Sequence, residues 1–391
     1  MTVVSPYIVP LGTIIDVEDQ KTWEPVSLFA TNDEKKLEDI AVDDEIAPKR
    51  RMTIAEGLRP LLASMRLFGL YFNRRSEDAG DDLNTKSQKW NASAIYGATV
   101  VILLWMNAVR MLSGFTQRDT FGVLLFGKLI IVIWTIQCAV SQTVFYAACF
   151  TGRLAVVFRQ PLDDSCAGHA RKFSTFKAVV SWSIIMLGSA FFTYGLFFSD
   201  GAKDSMFLAP LQSHIVISNP LIPRVIVYFF LFYLLSAYTF SHTITFVLAM
   251  LFSHQFKKVN KELGSCLDNQ QRQVSDLDIE TFRQKHQEIS MNVSHVDDCL
   301  MFSNASAFCC QLSCVIISLY MLIFYHSYIT DLVFVSGYTF WLILSLLGLT
   351  LTAAGGITVH HHVSLFTVSL IYRSVIYRPK LSKLKSRSSS S

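Results

Sequence analysis

Six long apolar stretches are the feature of this sequence that most limits how the chain can fold. Two of them, residues 300–325 and 332–359, contain no Lys, Arg, Asp or Glu and are separated by only six residues. At 1.5 Å per residue, a helix of this length crosses ~30 Å of hydrocarbon. One such stretch also fits a buried helix of a soluble protein, but six favour a multi-span membrane protein. The six stretches are residues 93–112, 121–150, 176–198, 221–252, 300–325 and 332–359.

The composition agrees with this fold class and argues against several functions. Of the 391 residues, 51% are hydrophobic and 16% are charged, whereas soluble domains carry about 25% charged residues. The sequence has no P-loop, dinucleotide fingerprint, metalloprotease motif or paired-cysteine metal spacing. The consecutive histidines 360–362 point roughly 100° apart on a helix, so they do not converge on one metal ion. We therefore predict an all-α, polytopic membrane protein without enzyme activity, cofactor, metal or nucleic-acid partner.

Positive charges alternate between successive connections. Residues 1–90, 151–177, 253–299 and the tail from residue 360 contain 29 Lys and Arg in total, whereas the intervening connections contain only Arg118 and Lys203. Because positively charged connections stay in the cytosol, we expect a cytosolic N-terminus. Six spans then return the C-terminus to the same side of the plasma membrane.

Lys128 departs from this pattern, because it lies well inside the second span. Its ammonium group either extends towards the membrane surface or faces a water-filled cavity.

Charge and hydropathy divide the chain into five parts. Residues 1–90 form a polar cytosolic region with 12 Lys and Arg and 16 Asp and Glu. Within it, apolar residues near 54–72 recur at helical spacing and predict an amphipathic helix. That helix either lies on the membrane surface or packs against the cytosolic side of the protein. The other predicted parts are a bundle of four spans at 91–254, a helical cytosolic loop at 255–299, spans five and six at 300–359, and a basic tail at 360–391.

Aromatic side chains are concentrated in the outer halves of the first four spans. The third span ends, and the fourth begins, in an aromatic cluster. The longest outward connection, residues 199–220, joins the two clusters and is placed to cover them as a lid. An aromatic pocket suits a small, largely apolar ligand, although the same residues also fit an interfacial aromatic belt. The candidate ligand-binding residues are Trp105, Trp134, Tyr194, Phe197, Phe229 and Tyr233.

A family resemblance is visible at the entrance to the first span. Residues 58–62 (LRPLL) and 66–70 (RLFGL) resemble the cytosolic lead-in to the first span of insect-type gustatory receptors. Residues 282–302, which include Asn292, resemble the helix through which that family enters its fifth span. The order of the parts is also similar: a cytosolic head, four spans, a charged helical loop and further spans.

The resemblance implies a tetrameric, ligand-gated cation channel with seven spans and an external C-terminus. It also implies a ligand pocket among the first four or so spans, and an anchor and pore built from the last spans. The seventh span of that family, with a Thr-Tyr and a Gln-Phe separated by apolar residues, has no counterpart here, since residues 360–377 are a poor candidate for a span. We therefore expect a divergent or truncated gustatory-type receptor that forms homo- or heterotetramers with related receptors. No pore residue carries over from the family.

Two other functions are compatible with several spans. A G-protein-coupled chemoreceptor requires an external N-terminus and seven spans, and both conflict with the charge pattern. A six-span transporter or channel of another family usually shows buried ionisable residues and internal repeats, and we detect no repeat here.

The charge pattern predicts that the N- and C-termini both face the cytosol. Epitope tags at the two ends should be stained by antibody only after the plasma membrane is permeabilised. A C-terminal tag that is stained on intact cells would mean that residues 360–377 form a seventh span. An N-terminal tag stained on intact cells would instead favour the G-protein-coupled topology.

Overall fold

A computed structural model describes residues 52–72, 92–115, 122–198, 221–268, 276–324 and 332–388. Most of the predicted N-terminal region and the predicted lid at 199–220 lie outside these residues. The described residues form nine helices. In addition, Thr53 and Pro161 form an isolated antiparallel β-bridge. The helices are α1 (Ile54–Gly57), α2 (Arg59–Leu67), α3 (Ala92–Ser113), α4 (Val123–Phe150), α5 (Arg153–Phe158), α6 (Asp164–Phe197), α7 (Leu221–Asp268), α8 (Asp276–Phe324) and α9 (Leu332–Ser388).

Six of these helices are long and apolar enough to cross a membrane: α3, α4, α6, α7, α8 and α9. Each contains one of the six apolar stretches of the sequence, at least in its greater part. In hydrocarbon, a helix satisfies its own backbone hydrogen bonds, which is why long apolar stretches fold this way. The predicted all-α, polytopic membrane fold with six spans is therefore confirmed.

The last three helices are much longer than a bilayer is thick. Helices α7, α8 and α9 contain 48, 49 and 57 residues, which corresponds to roughly 70–85 Å. Residues 255–268 of the predicted cytosolic loop thus continue α7, residues 276–299 belong to the same helix as the fifth span, and residues 360–388 continue the sixth span. Hydropathy marks where a chain leaves the membrane, but it does not mark where the backbone stops being helical.

The chain enters the bundle through two short helices. Helix α1 begins with a capping box, in which the Thr53 amide donates to Glu56 Oε2 (2.8 Å) and the Glu56 amide donates to Thr53 Oγ1 (3.3 Å). Helix α2 buries Leu61, Leu62 and Met65 against the bundle. The Trp182 indole of α6 donates to Ser64 Oγ on α2 (3.0 Å). The apolar face of this amphipathic segment therefore packs against the protein, which is the second of the two predicted positions.

A non-helical connector, residues 68–72, follows α2 and inserts between the helices. Its first residue, Phe68, is 3% exposed. The Phe68 ring lies 5.5 Å from Trp182 and 5.6 Å from Phe240, measured between ring centroids. Gly69 has a φ of 69°, and a Cβ there would approach the Gly97 Cα of α3 to 3.2 Å. A glycine therefore permits both the turn and the close approach of the connector to α3.

Four side chains form a buried polar node that joins α4, α7, α8 and α9. The Nε2 atom of His242 lies 3.1 Å from the amide nitrogen of Gln137 and 2.7 Å from that of Gln311. The Tyr238 hydroxyl donates to the Leu344 carbonyl of α9 (2.8 Å). A Cβ on Gly348 would lie 2.5 Å from the Tyr238 hydroxyl, so glycine at this position lets α9 approach the node.

Lys128 is buried in the second span and does not extend to the surface. Its ammonium group donates to the Gly114 carbonyl (3.0 Å), just beyond the last residue of α3. A cation at the C-terminal end of a helix is electrostatically favourable, so Lys128 stabilises the α3–α4 hairpin.

We predict that Phe68→Ala destabilises the protein by about 3–5 kcal/mol, because it removes a buried ring that packs against Trp182 and Phe240 and leaves a cavity. The measurement is thermal unfolding of the purified chain in detergent.

The matched control for this substitution is Leu67→Ala. Leu67 directly precedes Phe68 but is 58% exposed, so its truncation should change the stability by no more than about 0.5 kcal/mol. Equal melting temperatures for the two variants would show that the connector contributes nothing to the packing of the bundle.

Candidate ligand-binding site

A pocket of about 270 Å³ lies between α3 and α7. We call it the α3–α7 groove. The α3 residues and the α7 residues that line it recur three or four positions apart, so each set occupies one face of its helix. No lining residue is charged. The lining residues are Tyr96, Thr99, Val100, Leu103, Leu104, Ile226, Phe229, Phe230 and Tyr233.

Two tyrosine hydroxyl groups provide most of the polarity of the groove. The Tyr96 hydroxyl donates to the Leu67 carbonyl (2.6 Å) and lies 3.0 Å from the Tyr233 hydroxyl. Because Tyr96 uses its proton on that carbonyl, Tyr233 donates to Tyr96. The Tyr233 oxygen keeps lone pairs that can accept a hydrogen bond from a bound molecule.

The groove opens on the side of the bundle. Leu103, Ile226 and Phe229 are exposed at its rim, and Thr99 satisfies its hydroxyl within its own helix by donating to the Ile95 carbonyl (2.9 Å). Its chemistry therefore suits an apolar molecule with one hydrogen-bonding group, and such a molecule can reach it from the hydrocarbon.

Two of the six residues predicted from the sequence, Phe229 and Tyr233, line this groove. Trp134 is instead buried in the centre of the bundle, where its ring centroid lies 4.5 Å from that of Trp341. Trp105 donates its indole proton to Thr143 Oγ1 of α4 (3.0 Å).

The remaining two predicted residues lie near the end of α6. Tyr194 is 54% exposed and stacks on Phe198, and Phe197 is half-buried against the core. Neither lines the groove. The structure thus brings together the two α7 candidates and leaves the other four in separate places, and ligand binding by any of the six stays a prediction.

Sequence reasoning missed Tyr96 and the polar node. Tyr96 lies in the first turns of α3, where a tyrosine is typical of a membrane interface, and its partner on α7 is 137 residues away. The node left a clearer signal, because Gln137, His242 and Gln311 are polar residues inside apolar spans. Such residues usually face the interior of a helical bundle.

The comparison with known families agrees with this architecture. A family model described as 7tm Chemosensory receptor matches residues 58–387. The match begins at the LRPLL segment and includes both sides of the groove, which confirms the resemblance to the chemosensory receptor superfamily. No curated protein sequence matches the chain. Since the family model covers well over half of the sequence, the chain belongs to the 7tm Chemosensory receptor family.

Proposed function

We propose that this chain is a gustatory-type chemosensory receptor of the plasma membrane that binds a small amphipathic molecule in the α3–α7 groove. We further propose that it acts as a subunit of a ligand-gated cation channel. The observation that carries the proposal is the Tyr96–Tyr233 hydroxyl pair inside an otherwise apolar groove. Apolar walls with a few placed polar groups are typical of small-molecule sites.

The hydroxyl pair is suited to detection because it joins three parts of the chain. Tyr233 belongs to α7, Tyr96 to α3, and the Leu67 carbonyl to the end of α2. A ligand that donates a hydrogen bond to the Tyr233 oxygen changes how α7 is held against α3 and the connector. Such differential contact is what a ligand needs in order to shift a conformational equilibrium.

The continuity of α7 provides a route from the groove to the rest of the bundle. His242 follows Tyr233 by nine residues, or about two and a half turns, on the same helix. At His242, α7 contacts Gln137 of α4 and Gln311 of α8. A movement of α7 at the groove therefore reaches the polar node without passing through a loop.

Removing one hydroxyl tests the site. We predict that Tyr233→Phe weakens the binding of small alcohols roughly fivefold, because the ring stays in place and one neutral hydrogen bond is lost. Binding is measured as the ligand-dependent thermal shift of the purified chain, with a panel of small aliphatic and aromatic alcohols. Hydrocarbons of the same carbon skeleton should bind the variant and the unmodified chain equally well.

The matched control is Tyr194→Phe, which removes the same atom from an exposed ring outside the groove. It should leave the binding of every compound unchanged. Two outcomes would show that the groove does not bind the hydroxyl group of the alcohol. One is an equal loss of affinity in both variants, and the other is a loss of affinity in Tyr233→Phe for alcohols and hydrocarbons alike.

Assembly with other subunits is supported by the outer faces of α8 and α9. Large apolar side chains are exposed on both helices, among them Phe302, Ile316, Ile343 and Ile357. Exposed apolar residues of a single chain face either lipid or a neighbouring subunit. We propose homo- or heterotetramers with related receptors as the assembled form.

We predict that the chain associates in detergent but conducts poorly or not at all when it is expressed alone, because residues 360–388 continue α9 instead of forming a separate span. Mass photometry of the purified chain and whole-cell currents in receptor-free cells provide the test. A strong ligand-gated current from this chain alone would show that it completes a pore by itself. A strictly monomeric species without current would argue against a channel subunit.

A further inference from the structure

Two arginines from different parts of the chain lie near one tyrosine at the α2 end of the bundle. The Arg66 guanidinium carbon lies 5.3 Å from the centroid of the Tyr71 ring. The same ring contacts Phe158 edge-on, with centroids 5.5 Å apart, and Arg159 directly follows Phe158 at the end of α5. Arg66 and Arg159, which are 93 positions apart in the sequence, both act electrostatically on the Tyr71 phenol.

Backbone hydrogen bonds join the residues at the start of α1 to the α5–α6 connection. The Ile54 amide donates to the Gln160 carbonyl (2.9 Å), and the Leu162 amide donates to the Met52 carbonyl (2.7 Å). The Gln160 and Asn292 side-chain amides also pair with each other, which ties the α5–α6 connection to α8. The backbone that carries Arg159 is therefore held against the start of α1 and against α8 before any ligand arrives, which lowers the entropic cost of binding.

Neither arginine has an anionic partner among the described residues. The ion pairs of this part of the chain involve Lys258, Arg283 and Lys285. Asp163, an acidic residue of the α5–α6 connection, pairs with Lys258 at 2.7 Å. Two guanidinium groups without a carboxylate between them form a site for an anion, and arginine is well suited to phosphate because it presents paired donors in a plane.

The Tyr71 hydroxyl adds a neutral donor close to the two charges. Burial raises the pKa of the Tyr71 phenol, although the charges of Arg66 and Arg159 act in the opposite direction. The phenol therefore keeps its proton. The result is a donor near two cations, without a negative charge of its own to repel an anion.

We propose that Arg66 and Arg159 bind the phosphate group of an anionic phospholipid at the α2 end of the bundle. Leu67 supports a lipid over a soluble phosphate, because it lies next to Arg66 and is largely exposed beside it. An exposed apolar side chain next to an unpaired cation fits the boundary between acyl chains and headgroups. The sequence also predicts that this end of the bundle faces the cytosolic leaflet, where anionic lipids are concentrated.

Binding of a short-chain phosphatidylinositol phosphate to the full chain in neutral detergent tests the proposal. Microscale thermophoresis should give a saturable affinity, and Arg66→Gln and Arg159→Gln should each weaken it about tenfold. Arg283→Gln is the matched control, because it removes one exposed cation from the same side of the protein. Arg283 is held by Glu280 at 2.7 Å, and its loss should change the affinity less than twofold.

Two further probes separate the possible sources of the phosphate. Short-chain phosphatidylcholine, which has no net charge, should bind far more weakly than the phosphatidylinositol phosphate. Inositol phosphate and inorganic phosphate should also bind far more weakly, because they lack the acyl chains that would lie against Leu67.

Three outcomes would overturn the proposal. Equal losses in Arg66→Gln, Arg159→Gln and Arg283→Gln would mean diffuse attraction to a basic surface. Equal affinity for inositol phosphate and for the lipid would assign the arginines to a soluble anion. Saturable binding that both arginine substitutions leave unchanged would place the lipid elsewhere.

Discussion

The fold depends on the insertion of a non-helical segment, residues 68–72, into a bundle that must satisfy its polar groups without water. Three carbonyl groups at the end of α2 and in this connector are each paired with a side chain of α3 or α4. The Leu67 carbonyl accepts from Tyr96 (2.6 Å), the Phe68 carbonyl from Gln142 (3.3 Å), and the Leu70 carbonyl lies 3.9 Å from the Cys149 thiol. An unpaired backbone group buried in an apolar interior costs free energy, so these side chains permit the chain to leave a helix inside the bundle.

Helix α7 links this insertion to the rest of the bundle. Its Phe232, Tyr233 and Phe240 rings surround Phe68, and its Tyr238 and His242 belong to the polar node. With both amide nitrogens directed at Nε2, the His242 ring is a neutral acceptor. Because removing one partner of a buried hydrogen bond leaves the other unsatisfied, the node favours one register between α4, α7 and α8. The groove and the polar node therefore both include residues of the same helix, α7.

The sequence was sufficient to predict the membrane spans, because long uncharged stretches have few other stable structures. It was less informative about the candidate site, for reasons that differ from residue to residue. Phe229 and Tyr233 are close in sequence and lie on one face of α7, so their proximity follows from helical spacing. Trp134 is likewise an aromatic residue of an apolar span, but it packs against Trp341, which lies about two hundred residues later in the sequence. Tyr96 contacts both Tyr233 and the Leu67 carbonyl at the end of α2 through its hydroxyl, and no local pattern encodes either contact.

The two proposed sites share the stretch of chain from the end of α2 through the connector. The groove contacts it through the Leu67 carbonyl and Tyr96, and the phosphate site contacts it through Arg66 and Tyr71. Phe68 belongs to the same stretch and is held by aromatic rings of α6 and α7. A ligand in the groove that moves the connector therefore changes the geometry of the two arginines. Linkage makes this coupling reciprocal: a lipid that raises the affinity of the groove by some factor must itself bind more tightly, by the same factor, when the groove is filled. The composition of the membrane would then set the sensitivity of the receptor through the same stretch of chain that packs between the helices.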